Sequence, residues 1–316
     1  MRLLYKALLL MLAGLLFFAL AGMVAIWAPD APLTTLTPRW AGAPSRFESV
    51  GAMQVHLRDE GPRDDPVPIV LLHGTSDSLH TWDGWAEALR GQRRVIRFDL
   101  PGFGLTGPRP DADYSMDAYV RFVLTMLDQL GVRHFVLAGN SLGGQIAWQT
   151  AYVQPDRVRQ LVLVDAAGYP MAPQQMPPGF RLARTWPANV LLEWFLPRGL
   201  VLASVRNVFG DPSAVTPELV DRYYDMTLRA GNRRALVERL AWPEIDQSNR
   251  IRTLRVPTLV VWGALDHLIP LQFGRQFARD IPGAQLVVLE GLGHVPQQED
   301  AARSVAEVQR FLGVTP

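Results

Sequence analysis

The stretch VLAGNSLGGQ, residues 136–145, decides how this chain folds. An apolar, strand-like run stops at Gly139, and a helix-like run begins after Ser141. The spacing is G-x-S-x-G, with Gly139 and Gly143 on either side of the serine. Because glycine lacks a Cβ, a strand can turn sharply into a helix here and leave the hydroxyl exposed at the corner. The alternative is an ordinary turn in which the serine only caps the helix.

Strand-like and helix-like runs alternate along most of the chain. Predicted strands cover 68–74, 93–100, 134–140, 159–168, 258–263 and 284–291, and predicted helices cover 81–89, 116–131, 142–154, 271–280 and 299–312. Short, fully apolar strands are typical of a sheet that is covered on both faces. The alternation therefore predicts an α/β fold with a mostly parallel central sheet and helices on both faces.

The rhythm is interrupted between residues 169 and 250. This stretch has no β pattern, many prolines and several helix-like pieces. We interpret it as a helical cap over the carboxyl edge of the sheet. The core then has two parts, residues 46–168 and residues 251–316.

Two further polar residues follow predicted strands. Asp266 comes just after strand 258–263, and His294 comes just after strand 284–291. In a parallel sheet, the carboxyl ends of the strands form the edge at which ligands bind. Each residue alone could be a turn or surface residue. Together with Ser141 they supply a nucleophile, a base that activates it and an acid that orients the base.

Composition excludes several classes of protein. The chain has 316 residues, of which 48% are hydrophobic and 19% charged, so it can bury a sizeable core. The net charge of +1 gives no electrostatic reason to expect a nucleic-acid partner. The chain has no cysteine, which excludes thiol nucleophiles, disulfides and zinc sites built on thiolates.

The N-terminal segment predicts a membrane anchor. Residues 7–28 carry no charge, and a helix of this length, at about 1.5 Å per residue, would span the roughly 30 Å hydrocarbon core of a bilayer. Arg2 and Lys6 precede the run, which favours a cytoplasmic N-terminus and a catalytic domain outside the cytoplasm, in the periplasm of a bacterium.

A cleaved signal peptide is the alternative for this segment. The small residues at positions 19 and 21 offer a cleavage site, and cleavage would release a secreted protein. We expect residues 1–29 to form the anchor and the Pro-rich residues 30–45 to form a linker.

Several motifs make the chain resemble an α/β-hydrolase from about residue 46 to residue 314. They are HGT (73–75), FDLPGFGLTG (98–107), GNSLGG (139–144), GALDHLIP (263–270) and GHVPQQE (293–299). The resemblance implies that Ser141 is the nucleophile, His294 the general base and Asp266 its orienting acid. It also implies that the backbone N–H groups of Thr75 and Leu142 form the oxyanion hole.

The supporting residues follow from the same resemblance. Gly139, Gly143, His73 and Gly74 would shape the serine turn and the neighbouring loop. Asp165, which also ends a strand, is the alternative orienting acid for the histidine. Asp99 is interpreted as a residue that fixes its own loop, and no partner is identified for His56, His80, His134 or His267.

The expected reaction is hydrolysis of a carboxylic ester through an acyl-enzyme, with no metal and no organic cofactor. The stretch 186–205 is rich in Leu, Val, Trp and Phe, which favours a medium or long apolar acyl chain or a lipid-like substrate. It could instead pack the cap onto the sheet. We expect a monomer, with a membrane partner through residues 7–28.

Two other functions stay open. Carbon–carbon bond hydrolases that act on meta-cleavage products share the Gly-Asn-Ser-x-Gly-Gly turn. The present chain departs from their pattern, because HGTSDS lacks the further Gly-Pro-Gly and Val295 follows the histidine in place of tryptophan. A non-catalytic protein that uses the pocket to bind a ligand is the second alternative.

Overall fold

The fold is built around one sheet, which we describe from a computed structural model covering residues 2–171, 178–243 and 245–314. In the described residues the sheet has eight strands: β1 (Arg46–Val50), β2 (Met53–Glu60), β3 (Ile69–Leu72), β4 (Val95–Phe98), β5 (Phe135–Asn140), β6 (Val158–Val164), β7 (Thr258–Gly263) and β8 (Gln285–Leu289). Their order is β1-β2-β4-β3-β5-β6-β7-β8. β2 pairs antiparallel with both β1 and β4, and the other pairs are parallel. The predicted mostly parallel sheet is confirmed.

Helices cover both faces of this sheet. The helices of the described residues are α1 (Arg2–Ile26), α2 (Leu33–Trp40), α3 (Asp83–Leu89), α4 (Met116–Gln129), α5 (Leu142–Val153), α6 (Pro178–Ala183), α7 (Ala188–Leu191), α8 (Arg198–Val208), α9 (Pro217–Leu228), α10 (Asn232–Ala241), α11 (Leu271–Asp280), α12 (Pro296–Glu299) and α13 (Ala301–Leu312). Side chains of α3 and α13 pack on one face, and side chains of α4, α5 and α11 pack on the other.

Alternation within each strand explains the continuous apolar runs of the sequence. In β3, Val70 and Leu72 belong to the core cluster under α4 and α5, whereas Ile69 and Leu71 belong to the cluster under α3 and α13. Successive side chains of a strand point to opposite faces, so a strand covered on both faces is apolar throughout. The two layers of helices hold the strand ends, and therefore the loops that follow them, at fixed positions.

Residues 169–250, which we call the cap, connect β6 to β7. The described part of the cap, residues 169–171, 178–243 and 245–250, contains helices α6 to α10. Side chains of α8 and α9 form their own apolar cluster with Val295 from the loop that carries His294. The cap therefore lies over the end of the sheet at which β7 and β8 finish.

The N-terminal run forms a helix, α1, over Arg2–Ile26. Among the helices of the described residues, however, we find none that is long and apolar enough to cross a membrane. The transmembrane anchor predicted from residues 7–28 is therefore not supported.

The segment between α1 and β1 lies on the cap. Its helix α2 carries Arg39 and Trp40, whose side chains both donate hydrogen bonds to Asp225 of α9, at 3.0 and 2.9 Å. Closer to α1, the partly exposed Asp30 forms an ion pair with the buried Arg233 of α10, at 2.7 Å. Residues 30–45, expected as a linker, thus contain a helix and fixed contacts to the cap.

Candidate active site

Ser141 occupies a strained turn between β5 and α5. Its φ of +55° lies in the left-handed region, which costs a non-glycine residue of the order of 1–3 kcal/mol. A Cβ placed on Gly139 would lie 2.2 Å from the carbonyl oxygen of Gly143, and one placed on Gly143 would lie 2.2 Å from that of Leu72. The glycines are therefore required by close backbone approach, and the serine stands at the head of the helix.

The structure brings His294 and Asp266 into direct contact. Asp266 Oδ2 lies 2.7 Å from His294 Nδ1, and both side chains are buried. The other oxygen of Asp266 accepts the backbone N–H groups of Leu268 and Ile269, at 2.8 and 2.9 Å. These two donors fix the orientation of the carboxylate. With Nδ1 bound to the carboxylate, Nε2 is the ring nitrogen available for chemistry.

Backbone contacts hold the histidine loop in place. The amide N–H of His294 donates to the Val208 carbonyl at 2.7 Å, and the side-chain amide of Asn140 donates to the His294 carbonyl at 2.9 Å. Asn140 precedes Ser141, so one residue ties the serine turn to the histidine loop. Asn140 was not predicted to have a role, although it lies inside the G-x-S-x-G motif.

Glu299 is a second residue whose role was not predicted from the sequence. Its carboxylate accepts the backbone N–H groups of Gly293 at 2.8 Å and of Gly210 at 2.6 Å. Burial raises the pKa of this carboxyl, against the effect of the two amide donors. Glu299 thus connects the histidine loop to the base of the cap. Its position in GHVPQQE was the only signal in the sequence.

Thr75 and Leu142 lie where their amide groups can face the serine. Leu142 is the first residue of α5, so its N–H has no carbonyl one turn earlier to bind. Thr75 lines the same pocket as Ser141, and its N–H has no hydrogen-bond acceptor within the described residues. Backbone N–H groups without an acceptor, close to a nucleophile, are the donors that an oxyanion hole requires, so Thr75 and Leu142 remain the predicted donors.

His73 is committed to its own loop. Its Nε2 accepts the backbone N–H of Leu100 at 2.8 Å, so its Nδ1 carries the proton and donates to the Gly74 carbonyl at 2.7 Å. Gly74 in turn packs against the serine turn, because a Cβ there would lie 3.1 Å from Ser141 Cβ. His73 and Gly74 therefore order the loop that presents Thr75.

Asp165, the alternative orienting acid, lies beside Asp266. One carboxylate oxygen of each aspartate and one ring nitrogen of His294 all lie within 4.8 Å of one another. Asp165 Oδ1 accepts the backbone N–H of Gly263 at 2.9 Å. The hydrogen bond from the histidine goes to Asp266, however. Complete burial raises the pKa of Asp165 well above its usual value, and the neighbouring Asp266 raises it further.

Ser141 and His294 lie at the floor of one large pocket between the sheet and the cap. The space between the protein atoms there measures about 1110 Å³, including the open mouth. Its apolar walls come from helices of the cap, from the segment between α7 and α8 and from the histidine loop, and they include Phe180, Leu192, Leu196, Val201, Leu236 and Val295. Charged side chains are few among the described lining residues and are limited to Asp77 and Arg233, apart from His294.

Both of these charged lining residues already have partners. Asp77 accepts the Tyr223 hydroxyl at 2.9 Å and the Ser78 N–H at 2.8 Å. Arg233 is paired with Asp30 and donates to the Leu192 carbonyl at 3.3 Å. Tyr223 belongs to α9, so its bond to Asp77 connects the cap to the loop that carries Thr75.

Known proteins resemble this chain in sequence and in fold. It is 32% identical to a 2-hydroxymuconate semialdehyde hydrolase of Pseudomonas sp. (strain CF600) over 82% of this chain and 90% of that one. It is 26% identical to the solved meta-cleavage product hydrolase of Pseudomonas fluorescens IP01, with a TM-score of 0.72 over 85% and 97%. A thermophilic esterase from Thermogutta terrifontis superposes with a TM-score of 0.71 at 25% identity, over 86% and 98%.

The family assignment rests on most of the chain. Residues 67–301, from just before β3 to the start of α13, match the family described as the alpha/beta hydrolase fold. This range includes the serine turn, the cap and the histidine loop. The protein is therefore a member of the alpha/beta hydrolase fold family.

Proposed function

We propose that the protein is a serine hydrolase that cleaves carboxylic esters with a medium or long apolar acyl chain. Ser141 Oγ attacks the ester carbonyl carbon while His294 Nε2 takes the hydroxyl proton. The N–H groups of Thr75 and Leu142 hold the oxyanion, and Asp266 stabilises the imidazolium. The imidazolium then gives its proton to the leaving alkoxide, and the acyl group stays on Ser141 Oγ.

Water completes the reaction. His294 Nε2 removes a proton from a water molecule, whose oxygen attacks the acyl carbon, and the second oxyanion collapses to release the carboxylic acid. The proton returns to Ser141 Oγ, so the enzyme is regenerated. In both half-reactions His294 Nε2 first takes a proton from the attacking hydroxyl or water and then returns it to the departing oxygen.

The apolar pocket above Ser141 is the observation that carries this proposal. Its walls are mainly Leu, Val and Phe side chains of the cap, and its charged lining residues are paired. Burial of an acyl chain contributes about 0.8 kcal/mol per methylene group. A long chain can therefore be bound by apolar contact alone, whereas an acidic substrate would need a free cation.

A p-nitrophenyl ester series from acetyl to palmitoyl tests the proposal. We expect the full-length protein to hydrolyse these esters. The highest kcat/KM should occur at about six or more acyl carbons, because each buried methylene group adds to the binding free energy. The matched Ser141→Ala protein should be inactive. A folded wild type that hydrolyses no ester of the series would contradict the proposal.

Carbon–carbon bond hydrolysis is the second candidate, favoured by the two similar meta-cleavage product hydrolases. Such substrates are carboxylates, so the pocket would have to supply a cation. Arg233 is the described arginine that lines the pocket, and its Nε is buried without a hydrogen-bond partner in the described part of the chain. Its pairing with Asp30 weakens this candidate. Hydrolysis of 2-hydroxymuconate semialdehyde by the wild type would favour this candidate if Arg233→Ala lost that activity but still hydrolysed neutral esters.

A ligand-binding protein without turnover is the third candidate. The same pocket could hold an apolar ligand without reacting with it. Mass spectrometry of the protein after incubation with a p-nitrophenyl ester separates the two cases. An acyl adduct on Ser141, absent from Ser141→Ala, requires an enzyme, whereas ligand binding without an adduct or product indicates a receptor.

We also propose that the N-terminal helix and the cap share a lipid surface. Most large apolar side chains of α1 whose exposure is described are exposed. A cluster of exposed apolar side chains continues onto the cap: Leu182, Trp186, Val190, Leu191 and Trp194. Trp27, at the end of α1, stacks on Trp194 with ring centroids 5.7 Å apart, so the two surfaces are continuous. Tryptophan is enriched at membrane interfaces.

Vesicle flotation tests this contact. We expect the full-length protein to float with phosphatidylcholine vesicles, and a Trp186→Ser/Leu191→Ser protein to float less while keeping its hydrolysis of p-nitrophenyl acetate. Placement of the catalytic domain outside the cytoplasm stays part of this proposal, and protease protection in intact cells tests it. Equal flotation of both proteins would contradict a role for the cap surface.

A further inference from the structure

A buried carboxyl group behind the histidine is not used by the reaction proposed above. We propose that Asp165 is a positioning residue, a neutral carboxylic acid whose Oδ2–H donates a hydrogen bond to the Asp266 carboxylate. The inference rests on the proposed role of Asp266 as the residue that orients His294. It assigns Asp165 to the support of that residue and not to the histidine itself.

The hydrogen bonds of the two aspartates leave one place for a proton. Asp266 accepts two backbone N–H groups on Oδ1 and the His294 ring on Oδ2, which are the partners of an ionised carboxylate. Asp165 Oδ1 accepts the Gly263 N–H. Asp165 Oδ2 is buried and has no hydrogen-bond donor among the described residues. An ionised oxygen in that position would be buried without a partner, which is costly.

The charges around Asp165 also favour its protonated form. The titratable groups that face it are Asp266 and Glu299, both acidic, and the His294 ring, which is already bound to Asp266. One oxygen of each carboxyl group lies within 4.8 Å of the other in this buried site. Two carboxyl groups that share a buried site do not readily both ionise, so one of them holds a proton. Because Asp266 has three donors and Asp165 has one, the proton belongs on Asp165.

The backbone holds the Asp165 side chain in this position. Its φ is +43°, a left-handed value that aspartate and asparagine adopt more readily than other side chains. Its N–H donates to the Val261 carbonyl of β7 at 3.0 Å, so the residue is fixed at the end of β6 beside the end of β7. Asparagine therefore fits the backbone and can supply both an amide donor for Asp266 and an acceptor for Gly263.

Asp165→Asn and Asp165→Ala separate donation from other roles. We expect Asp165→Asn to keep at least about a third of the wild-type kcat for the best p-nitrophenyl ester. In Asp165→Ala, kcat should fall at least about tenfold, because a supporting hydrogen bond is removed. Equal losses in the two variants would show that hydrogen-bond donation is not the role of Asp165.

Thermal stability against pH tests the protonation state without any assay of activity. A carboxyl that stays protonated in the folded protein but ionises in the unfolded chain lowers stability as the pH rises above its unfolded pKa. We expect the melting temperature of Asp165→Asn, relative to wild type, to rise by roughly 2 °C per pH unit between pH 5 and 7.5. A difference that is constant with pH would mean that Asp165 is ionised and would overturn the proposal.

Three controls complete this test. Asp99→Asn removes a buried carboxylate that is ionised, so its difference from wild type should not change with pH over the same interval. An infrared band of a protonated carboxyl group at pH 7.5, present in wild type and missing in Asp165→Asn, is expected. If EDTA lowers the melting temperature and Zn²⁺ restores it, a metal and not a proton joins the two aspartates, and the proposal is wrong.

Discussion

Two Ser–His–Asp sets lie in the described part of the chain, and only one of the two faces a pocket found there. In the first, Ser45 Oγ lies 2.9 Å from His56 Nε2, and His56 Nδ1 lies 2.8 Å from Asp99 Oδ2. In the second, His294 Nδ1 lies 2.7 Å from Asp266 Oδ2, and His294 lines the pocket together with Ser141. The imidazole–carboxylate pairs are nearly the same in geometry, so the pair alone does not make an active site.

The surroundings of the two sets differ in three ways. Both nitrogens of His56 are used within the protein, and Ser45 Oγ also accepts the guanidinium N–H of Arg58 at 2.8 Å. His56 lines none of the pockets found in the described residues, whereas His294, although also largely buried, lines the pocket that contains Ser141. Ser45 does not stand at a strand-to-helix turn and lines none of the described pockets. A nucleophile needs an open face, a free base nitrogen and donors for the oxyanion.

Asp99 also differs from the acid pair behind His294. It accepts the N–H groups of Leu79 and Leu105 at 2.7 Å each, in addition to the His56 ring. Although burial raises the pKa of this carboxyl, the neighbouring histidine lowers it below its usual range. Asp99 is thus a buried carboxylate with enough donors, whereas Asp165 is a buried carboxyl with too few. The number of donors decides which one ionises.

Removal of the two serines should give the largest contrast. We expect Ser141→Ala to lower the kcat for p-nitrophenyl esters by at least about 10⁴-fold, because the nucleophile is lost. Ser45→Ala should change kcat by less than about threefold and cost about 1 kcal/mol of stability for its hydrogen bonds. Steady-state kinetics and urea denaturation of both variants provide the measurement. Comparable losses of kcat would remove the distinction between the two sets.

Substitution of Asp266 and of Asp99 should also have clearly different effects on kcat. Asp266→Asn should lower kcat by about 10⁴-fold, because the amide favours the wrong tautomer of His294. Asp99→Asn should lower kcat by less than about tenfold per folded molecule, since it lies away from the pocket. Active-site titration with an organophosphate corrects both values for the folded fraction. A larger loss in Asp99→Asn would contradict the assignment of Asp266.

The main effect of Asp99→Asn should be on stability. The substitution leaves a buried imidazole and two buried N–H groups without their carboxylate, so we expect a loss of about 3 kcal/mol in the free energy of unfolding at pH 7. Because the pKa of Asp99 is lowered in the folded protein, its stabilisation is complete above the unfolded pKa and is lost as the pH falls through the folded value. The difference between the two proteins should therefore shrink below about pH 4, as followed by urea denaturation.

The pocket beside Ser141 and His294 should determine the preferred acyl-chain length. A change in this preference is the smallest effect that we predict. Leu236 lines the pocket from α10, and Leu236→Trp fills part of it. We expect kcat/KM for the longest hydrolysed ester to fall about tenfold while the acetyl ester changes by less than about twofold. Leu236→Met, which nearly conserves volume, is the matched control. An unchanged chain-length profile would place the acyl chain elsewhere.

Local sequence patterns predicted much of the sheet. The predicted strand 258–263 and helix 271–280 coincide with β7 and α11, and the other predicted elements shift by a few residues at their ends. The β1–β2 hairpin was not predicted as separate strands, because its edge strand β1 is only partly buried and lacks an apolar run. The contacts of residues 30–45 with the cap were also missed, since composition does not show which surface a Pro-rich segment covers.

By itself, the sequence determined the order of strands and helices, the glycine-flanked turn at Ser141 and the presence of acidic and basic residues after strands. These features depend on local periodicity and on the steric demands of single residues. Only the tertiary structure decided which histidine faces a pocket, which aspartate binds it, and that Asp165 lies against Asp266. Such pairings join residues far apart in the chain, and the packing of the whole sheet determines their distances.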